Sequence, residues 1–257
     1  MNKRTSRTAL AMVWPAMVTC LLASCSGSSG GDGAAAGTGP SGSTSSAVGD
    51  LGSTALPHLA GDSTPLAPGT YLFSFHANPG VETPDAIVEV PSGFNDGADT
   101  DADAGESGGW YVVSHDGDAF LGLWTVGKVQ RDACIRPLQD YFTPGPTVDN
   151  LADALVAQKS TRASTRERIT LAGHEGLYVE LASPRDISRC DPNPGLWGDP
   201  GGRGIYSDNQ IDQVWILDVD GQRLVVNASY GPTATTSEID ELTSMVKSLE
   251  FVSAGQG

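Results

Sequence analysis

The two apolar segments at 214–219 and 223–230 constrain the fold most, because Asp220-Gly221 between them is typical of a two-residue hairpin turn. Segments of the same strand-forming composition recur along the chain, separated by turn-forming residues. We therefore predict six further strands, at 71–75, 86–90, 110–114, 120–129, 166–171 and 177–182. Gly-containing turns follow the third and the fifth of these strands, which predicts two more hairpins.

Two segments have the apolar spacing of amphipathic helices. The first begins near Thr147, a favourable N-cap residue, and has Leu151 and Leu155 on one face. The second begins near Thr235, where Glu238 three residues later completes the capping-box pattern. Hairpins and two helices together predict the α+β class, as a single domain with an antiparallel sheet of hairpins covered by two amphipathic helices.

Four stretches of this domain resemble uncharacterised exported lipoproteins of actinobacteria, at 65–71, at 123–126 with 132–134, at 146–151 and at 214–221. The last helix also runs directly into a short apolar segment, at 245–252, and this pattern is similar to the PsbP/Mog1-like and LpqN-type lipoprotein domains. The resemblance implies an exported domain of the same kind. It implies no activity, because none is assigned to the proteins that the chain resembles.

The first 24 residues have the pattern of a signal peptide. A basic start at 1–7 precedes an apolar segment at 8–22, which is short for a membrane span of about twenty residues. The tetrad Leu-Ala-Ser-Cys at 22–25 follows, and it resembles the bacterial lipobox. That resemblance implies cleavage before Cys25, lipidation of the Cys25 sulfur and a membrane anchor at this residue. The alternative is an ordinary secretory peptide with a cysteine at this place by chance.

Residues 25–64 are predicted to form the lipidated cysteine and a disordered tether, with the domain at 65–257. Residues 26–50 are almost wholly Ser, Gly, Ala and Thr, which bury too little apolar surface to offset the entropy of ordering. A flexible tether of about 39 residues, the length from 26 to 64, has a typical reach of roughly 35 Å. The predicted location is therefore extracytoplasmic, at the cell membrane and lipid-anchored.

The chain is acidic, with 31 Asp and Glu residues against 15 Lys and Arg residues and a formal net charge of −16. Such an excess of negative charge repels nucleic acids and anionic lipid headgroups. We therefore expect no nucleic acid partner and no basic membrane-binding patch. The expected partners are the membrane, through the lipid anchor at Cys25, and an unidentified envelope protein or ligand.

The cysteine count predicts one disulfide. Cys20 would be removed with the signal peptide and Cys25 would be acylated, which leaves Cys134 and Cys190 as the two remaining thiols. In an oxidising compartment two such thiols usually pair. We predict that their disulfide fastens a long Gly/Pro-rich loop, at 183–209, to the end of the strand at 120–129.

No catalytic, metal-binding or cofactor motif is recognised in the domain, so we assign no catalytic residue, metal or cofactor. The acidic loop at 96–106 has Ala104 and Trp110 where an EF-hand needs Gly and Glu, so a solvated loop and a cation-binding loop both stay open. The histidines form no zinc-binding pattern. His174 and Glu175 are interpreted as part of a hairpin loop.

Two residues of the 183–209 loop have two interpretations each. Trp197 either fills the edge of the core or lines a binding surface. Arg203, within the Gly-rich stretch 201–204, either belongs to a plain turn or meets an anion. The ligand-binding residues are therefore not assigned.

Two functions remain. The first is a non-catalytic binding or interaction module of the cell envelope, which the missing motifs favour. The second is a cell-envelope hydrolase with dispersed catalytic carboxylates, for which the fold would have to bring together pairs such as Asp116 with Asp118 or Glu175 with Glu180. Two buried carboxyl groups across a cleft would favour the hydrolase, and an open apolar groove without titratable residues would favour the binding module.

Overall fold

The computed structural model describes residues 56–59, 63–73, 84–98, 109–135, 140–198 and 202–252. The predicted signal peptide, Cys25 and most of the predicted tether lie outside the described residues, as do residues 99–106 of the acidic loop. The described strands and α-helices are, in chain order, β1 (Gly69–Phe73), β2 (Asp85–Val90), β3 (Phe94–Ala98), β4 (Gly109–Ser114), β5 (Ala119–Trp124), β6 (Val129–Gln130), β7 (Tyr141–Phe142), α1 (Val148–Val156), β8 (Arg162–Ala163), β9 (Glu167–Leu171), β10 (His174–Ala182), β11 (Ile211–Val219), β12 (Gln222–Tyr230), α2 (Thr236–Ser248) and β13 (Glu250–Val252).

The described strands form three antiparallel sheets. The main sheet has the order β3-β4-β5-β12-β11-β10-β8, and β9 also pairs with β10. A smaller sheet has the order β1-β2-β13, and β6 pairs with β7. The main sheet is open, with β3 at one edge. The predicted α+β class, with an antiparallel sheet and two helices, is confirmed.

Side chains alternate between the two faces of the main sheet, and each face has its own apolar core. In β5, Leu121 and Leu123 belong to the first core, whereas Trp124 belongs to the second. In β12, Val226 belongs to the first core and Val225 to the second. Both faces of the sheet are therefore covered.

The first core lies between the main sheet and a layer formed by the smaller sheet and α2. Phe73 of β1 and Met245 of α2 are fully buried there. Helix α2 begins with the predicted capping box, in which the Thr235 side chain accepts from the Glu238 backbone N–H and the Glu238 carboxylate accepts from the Thr235 backbone N–H. This cap satisfies two donors at the helix N-terminus.

The second core lies on the opposite face of the main sheet, under α1 and the 183–209 loop. Leu155 of α1 and Leu196 of the loop are almost fully buried in it. A disulfide joins Cys134 to Cys190, with the Cα atoms 4.5 Å apart, so the predicted pairing is confirmed. It fastens the loop to the segment that follows β6 rather than to the end of a long β5.

Two hairpin turns have the backbone conformation that their sequences demand. Asp220 and Gly221 both have positive φ, at 53° and 81°, as the type I′ turn between β11 and β12 requires. Ala172 and Gly173 have the same conformation between β9 and β10. The turn after β9 is therefore only two residues long, and the predicted loop position of His174 and Glu175 is wrong because both residues lie in β10.

Two predicted boundaries also differ from the structure. The strand predicted at 120–129 ends at Trp124, and Val129 begins the separate strand β6. Part of the predicted tether is ordered against the fold, since Leu59 is 4% exposed in the first core and Leu72 N–H donates to the Pro57 carbonyl at 2.9 Å. The burial of the Leu59 side chain explains the difference, because it holds residues 56–59 against the first core.

The α-helices of the described residues have 9 and 13 residues. Neither is long and apolar enough to cross a membrane.

Candidate functional site

A cleft of about 750 Å³ opens on the face of the main sheet that carries the second core. Strands β4 and β5 form its floor, and the described residues of the 183–209 loop at 193–197 and 202–207 form a wall. We call it the aromatic cleft and name as its main lining residues Tyr111, Phe120, Trp124, Trp197, Arg203 and Tyr206. Its volume lies within the range of about 300–1,000 Å³ that is typical of small-molecule sites.

Two glycines determine the shape of the floor. In the sheet register Gly97 pairs with Tyr111, and Tyr111 pairs with Gly122. A Cβ atom at Gly122 would lie 2.7 Å from both Phe120 Cζ and Trp124 Nε1, so both of these rings lie over the glycine. The Tyr111 ring occupies the corresponding space over Gly97. The rings therefore lie against the sheet, and the planes of Phe120 and Trp124 differ by only 23°.

Arg203 joins the loop to the sheet through a buried ion pair. Its Nε donates to Asp212 Oδ1 at 2.9 Å, and the two side chains are 3% and 1% exposed. A second bond runs from Arg203 Nη2 to Ser229 Oγ. The guanidinium carbon lies 4.4 Å from the centroid of the Phe120 ring and 5.3 Å from that of the Tyr206 ring. The cation is thus held between two rings of the cleft while Asp212 balances its charge.

Asp212 is the centre of a buried polar network. Its carboxylate also accepts from Gln210 Nε2 at 2.7 Å and from Asn227 Nδ2 at 3.3 Å. The side-chain oxygen of Gln210 in turn accepts from the Tyr206 backbone N–H at 2.9 Å. Because buried charges are stable only when paired and hydrogen-bonded, this network determines where the loop lies on the sheet.

Three nitrogen donors at the cleft have no acceptor in the described part of the chain. Trp124 Nε1 and Trp197 Nε1 are buried without a partner. The two indole rings meet edge to face, with their centroids 6.2 Å apart. Arg203 Nη1 forms no hydrogen bond with a described residue, whereas Nε and Nη2 do. Each of the two buried tryptophan donors costs about 1–3 kcal/mol without an acceptor. Arg203 Nη1 is less buried than these two atoms, so it is the donor that an oxygen in the cleft reaches.

The acidic pair Asp116 and Asp118 lies in the turn between β4 and β5. Asp116 Oδ1 accepts from Ser114 Oγ at 2.5 Å and from the Asp118 backbone N–H at 3.2 Å, and these bonds hold the pKa of Asp116 below its ordinary value. Asp118 is the only carboxylate among the described residues that line the aromatic cleft. Its Oδ2 accepts from the Thr233 hydroxyl.

The acidic pair Glu175 and Glu180 lies in β10, and neither residue lines the aromatic cleft. Glu180 accepts from the Tyr178 hydroxyl at 3.3 Å. Burial, and then the charge of Glu180, raise the pKa of Tyr178 to about 12. The described residues therefore do not combine the predicted carboxylate pairs in one cleft, and no group of three or more His, Cys, Asp or Glu side chains among them is placed to hold a metal ion.

The structure decides between the interpretations of the two loop residues. Trp197 is 1% exposed in the second core, so its interpretation as a residue that fills the edge of the core is confirmed, and it also lines the aromatic cleft. Arg203 meets an anion, but that anion is the carboxylate of Asp212 within the same chain. Sequence reasoning missed Asp212, although an acidic residue on the same strand face as Val214 and Ile216 indicates a buried cation partner.

No protein-family profile and no curated protein sequence matches the chain. Among solved structures, one entitled "Crystal structure of LpqN involved in cell envelope biogenesis of Mycobacterium tuberculosis" aligns with 71% of this chain and 91% of that chain. The aligned residues are 12% identical and the TM-score is 0.32. LpqN is one of the lipoprotein types that the sequence resembles, but a likeness this remote carries no argument about function.

Proposed function

We propose that the chain is an extracytoplasmic lipoprotein, anchored through Cys25, and that it is a non-catalytic binding module of the cell envelope. The lipobox-like tetrad at 22–25 supports the anchor. The Cys134–Cys190 disulfide supports an oxidising location, because disulfides are rare in the cytosol. The ligand of the module binds in the aromatic cleft.

The observation that carries the binding function is the composition of the aromatic cleft. Its walls combine aromatic rings with a few fixed polar groups, which is the usual composition of small-molecule sites. Arg203, its cation, is 3% exposed and is held by Asp212 and Ser229. A polar group fixed in this way orients a ligand without the entropy loss of ordering a long side chain.

A carboxylate-based hydrolase is disfavoured by the same cleft. Hydrolysis of glycosidic bonds by the usual mechanism needs two carboxyl groups across the scissile bond. The aromatic cleft has Asp118 alone among its described lining residues. Asp212 lies behind the Arg203 guanidinium and is already engaged by three side-chain donors.

The anchor is tested by Cys25→Ala. We expect this variant to lose membrane retention or processing, because alanine has no sulfur to accept the lipid at the predicted acylation site. Fractionation and intact mass measure both properties. A variant with the membrane distribution and mass of the wild type would show that Cys25 is not the anchor.

The binding function is tested with the full chain purified from membranes in detergent. Material retained from an envelope extract is identified by mass spectrometry for the wild type, for Tyr206→Ala in the cleft and for Val156→Ala on α1. Both side chains are exposed, so neither change should affect folding. We expect Tyr206→Ala alone to reduce the retained material. Equal retention by all three proteins would exclude the cleft as the site.

The non-catalytic role is tested with panels of glycosidase, esterase and peptidase substrates, for which we expect no turnover. Turnover that is lost in Asp118→Asn would overturn the non-catalytic role, because Asp118 is the carboxylate of the cleft.

A further inference from the structure

The aromatic cleft combines flat aromatic rings with unpaired donors and a balanced charge, and these three properties together identify a ligand class. We propose that the cleft binds neutral carbohydrate. A sugar ring packs on Tyr111 beside the Arg203 guanidinium, and one of its oxygens accepts from Arg203 Nη1. This inference rests on the proposed binding function and adds the chemistry of the ligand.

The rings supply the first part of the recognition. Tyr111 and Phe120 are partly exposed, their centroids are 5.0 Å apart and their planes differ by 32°. Because the Tyr111 ring lies over Gly97, it offers its face rather than its edge to the cleft, whereas the Phe120 ring is covered by the Arg203 guanidinium at 4.4 Å. The Tyr111 face carries partial negative charge, which attracts the polarised C–H groups on the face of a sugar ring. Tyr206, 75% exposed, extends the surface on the loop side.

The unpaired donors distinguish a sugar from a purely apolar ligand. An acyl chain or a plain aromatic ring would also pack on the rings. Such a ligand would leave Arg203 Nη1 without an acceptor. A sugar has hydroxyl and ring oxygens around its edge, so one ligand meets both the rings and the donor.

The charges distinguish a neutral sugar from an acidic one. The Arg203 charge is already balanced by Asp212 at 2.9 Å, and Asp118 contributes a negative charge to the lining. The whole chain has a formal net charge of −16. An anionic ligand would therefore approach a repulsive field and find no uncompensated cation, whereas a neutral ligand is not penalised.

The experiment measures the affinity of the purified full chain for hexasaccharides of glucose, mannose, galactose and N-acetylglucosamine by calorimetry. The galacturonate hexasaccharide is the anionic counterpart of the galactose one, and indole is the planar aromatic probe without an oxygen. Tryptophan fluorescence, to which Trp124 and Trp197 contribute together with the other tryptophans, is a second measure of binding. We expect at least one neutral hexasaccharide to bind with a fluorescence change, and to bind more tightly than galacturonate or indole.

The variants assign any binding to the cleft. Tyr206→Ala should weaken hexasaccharide binding roughly two- to tenfold, the value of one aromatic contact, and Val156→Ala should leave it unchanged. Tighter binding of galacturonate, binding of indole alone, or binding that Tyr206→Ala does not weaken would each overturn the proposal. Failure of every hexasaccharide would also overturn it, but the binding function would stand if Tyr206→Ala still reduced the material retained from envelope extract.

Discussion

Replacing Arg203 with Met tests how far the aromatic cleft depends on its buried ion pair. The change removes the hydrogen bonds to Asp212 and Ser229 and leaves a carboxylate that is 1% exposed. Loss of one partner from a buried ion pair typically costs about 3–5 kcal/mol. Asp212 keeps its amide donors Gln210 and Asn227, so we expect the cost of Arg203→Met to be near the lower limit, about 3 kcal/mol.

The double variant Arg203→Met/Asp212→Leu separates the unpaired charge from the lost packing. It contains neither charge, and apolar replacement of a buried pair is often neutral or stabilising. The amides of Gln210 and Asn227 lose an acceptor, which opposes this gain. We therefore expect the double variant to lose less free energy of unfolding than Arg203→Met alone.

Urea unfolding followed by circular dichroism measures these differences in the full chain. Arg166→Met is the matched control, because Arg166 Nη1 lies 2.5 Å from Asp153 Oδ1 in a pair whose side chains are 39% and 63% exposed. Such an exposed pair contributes at most about 1 kcal/mol. If Arg203→Met costs no more than this control, or if the double variant loses as much free energy of unfolding as Arg203→Met, the ion pair does not hold the loop on the sheet.

Three further changes test other parts of the fold. Replacing Cys134 and Cys190 with Ala removes a crosslink between residues 56 positions apart. The free energy of unfolding should fall by about 4 kcal/mol, the chain-entropy value for a loop of this length. A loss below about 1 kcal/mol in urea unfolding would contradict this. Leu155→Ala removes a fully buried side chain from the second core and should cost about 2–5 kcal/mol in the same assay. Tyr178 has a pKa raised from 10.0 to about 12 in the folded state, so its contribution to stability is complete below pH 10 and is lost as the pH rises to about 12. Tyr178→Phe should flatten the fall in stability across that window, and unchanged curves would count against the burial of the phenol.

Local patterns of the sequence were sufficient to predict those features of the structure that depend only on residues close together in the chain. The capping box of Thr235 and Glu238 and the turn at Asp220-Gly221 each act within four residues, and both are present as predicted. The smaller sheet was not predicted as a separate layer. Its strand β13 pairs with β2 at Phe251 and Ala86, and no local pattern states which distant strands become neighbours.

The aromatic cleft was harder to predict for the same reason. Phe120 and Trp124 flank Gly122 on one strand face, which is a signal that sequence alone contains. The third ring, that of Tyr111, lies flat only because Gly97 is its partner in β3, and this depends on the register of two strands. The orientation of the Tyr111 ring therefore could not be predicted from periodicity. Periodicity predicts the sheet face on which a residue lies, but it does not predict which residue of the neighbouring strand is its partner.

The 183–209 loop connects the stability of the domain to the shape of the aromatic cleft. It is fixed by three independent contacts of different chemistry: the Cys190 disulfide, the burial of Trp197 in the second core, and the Arg203–Asp212 ion pair. Tyr206 follows the last of these, and its backbone N–H is held by Gln210 although its ring is 75% exposed. An aromatic ring presented on a fixed backbone loses little conformational entropy when a ligand packs on it. The loop is therefore a preorganised wall of the cleft, and a change that loosens any one contact should weaken binding before it unfolds the domain.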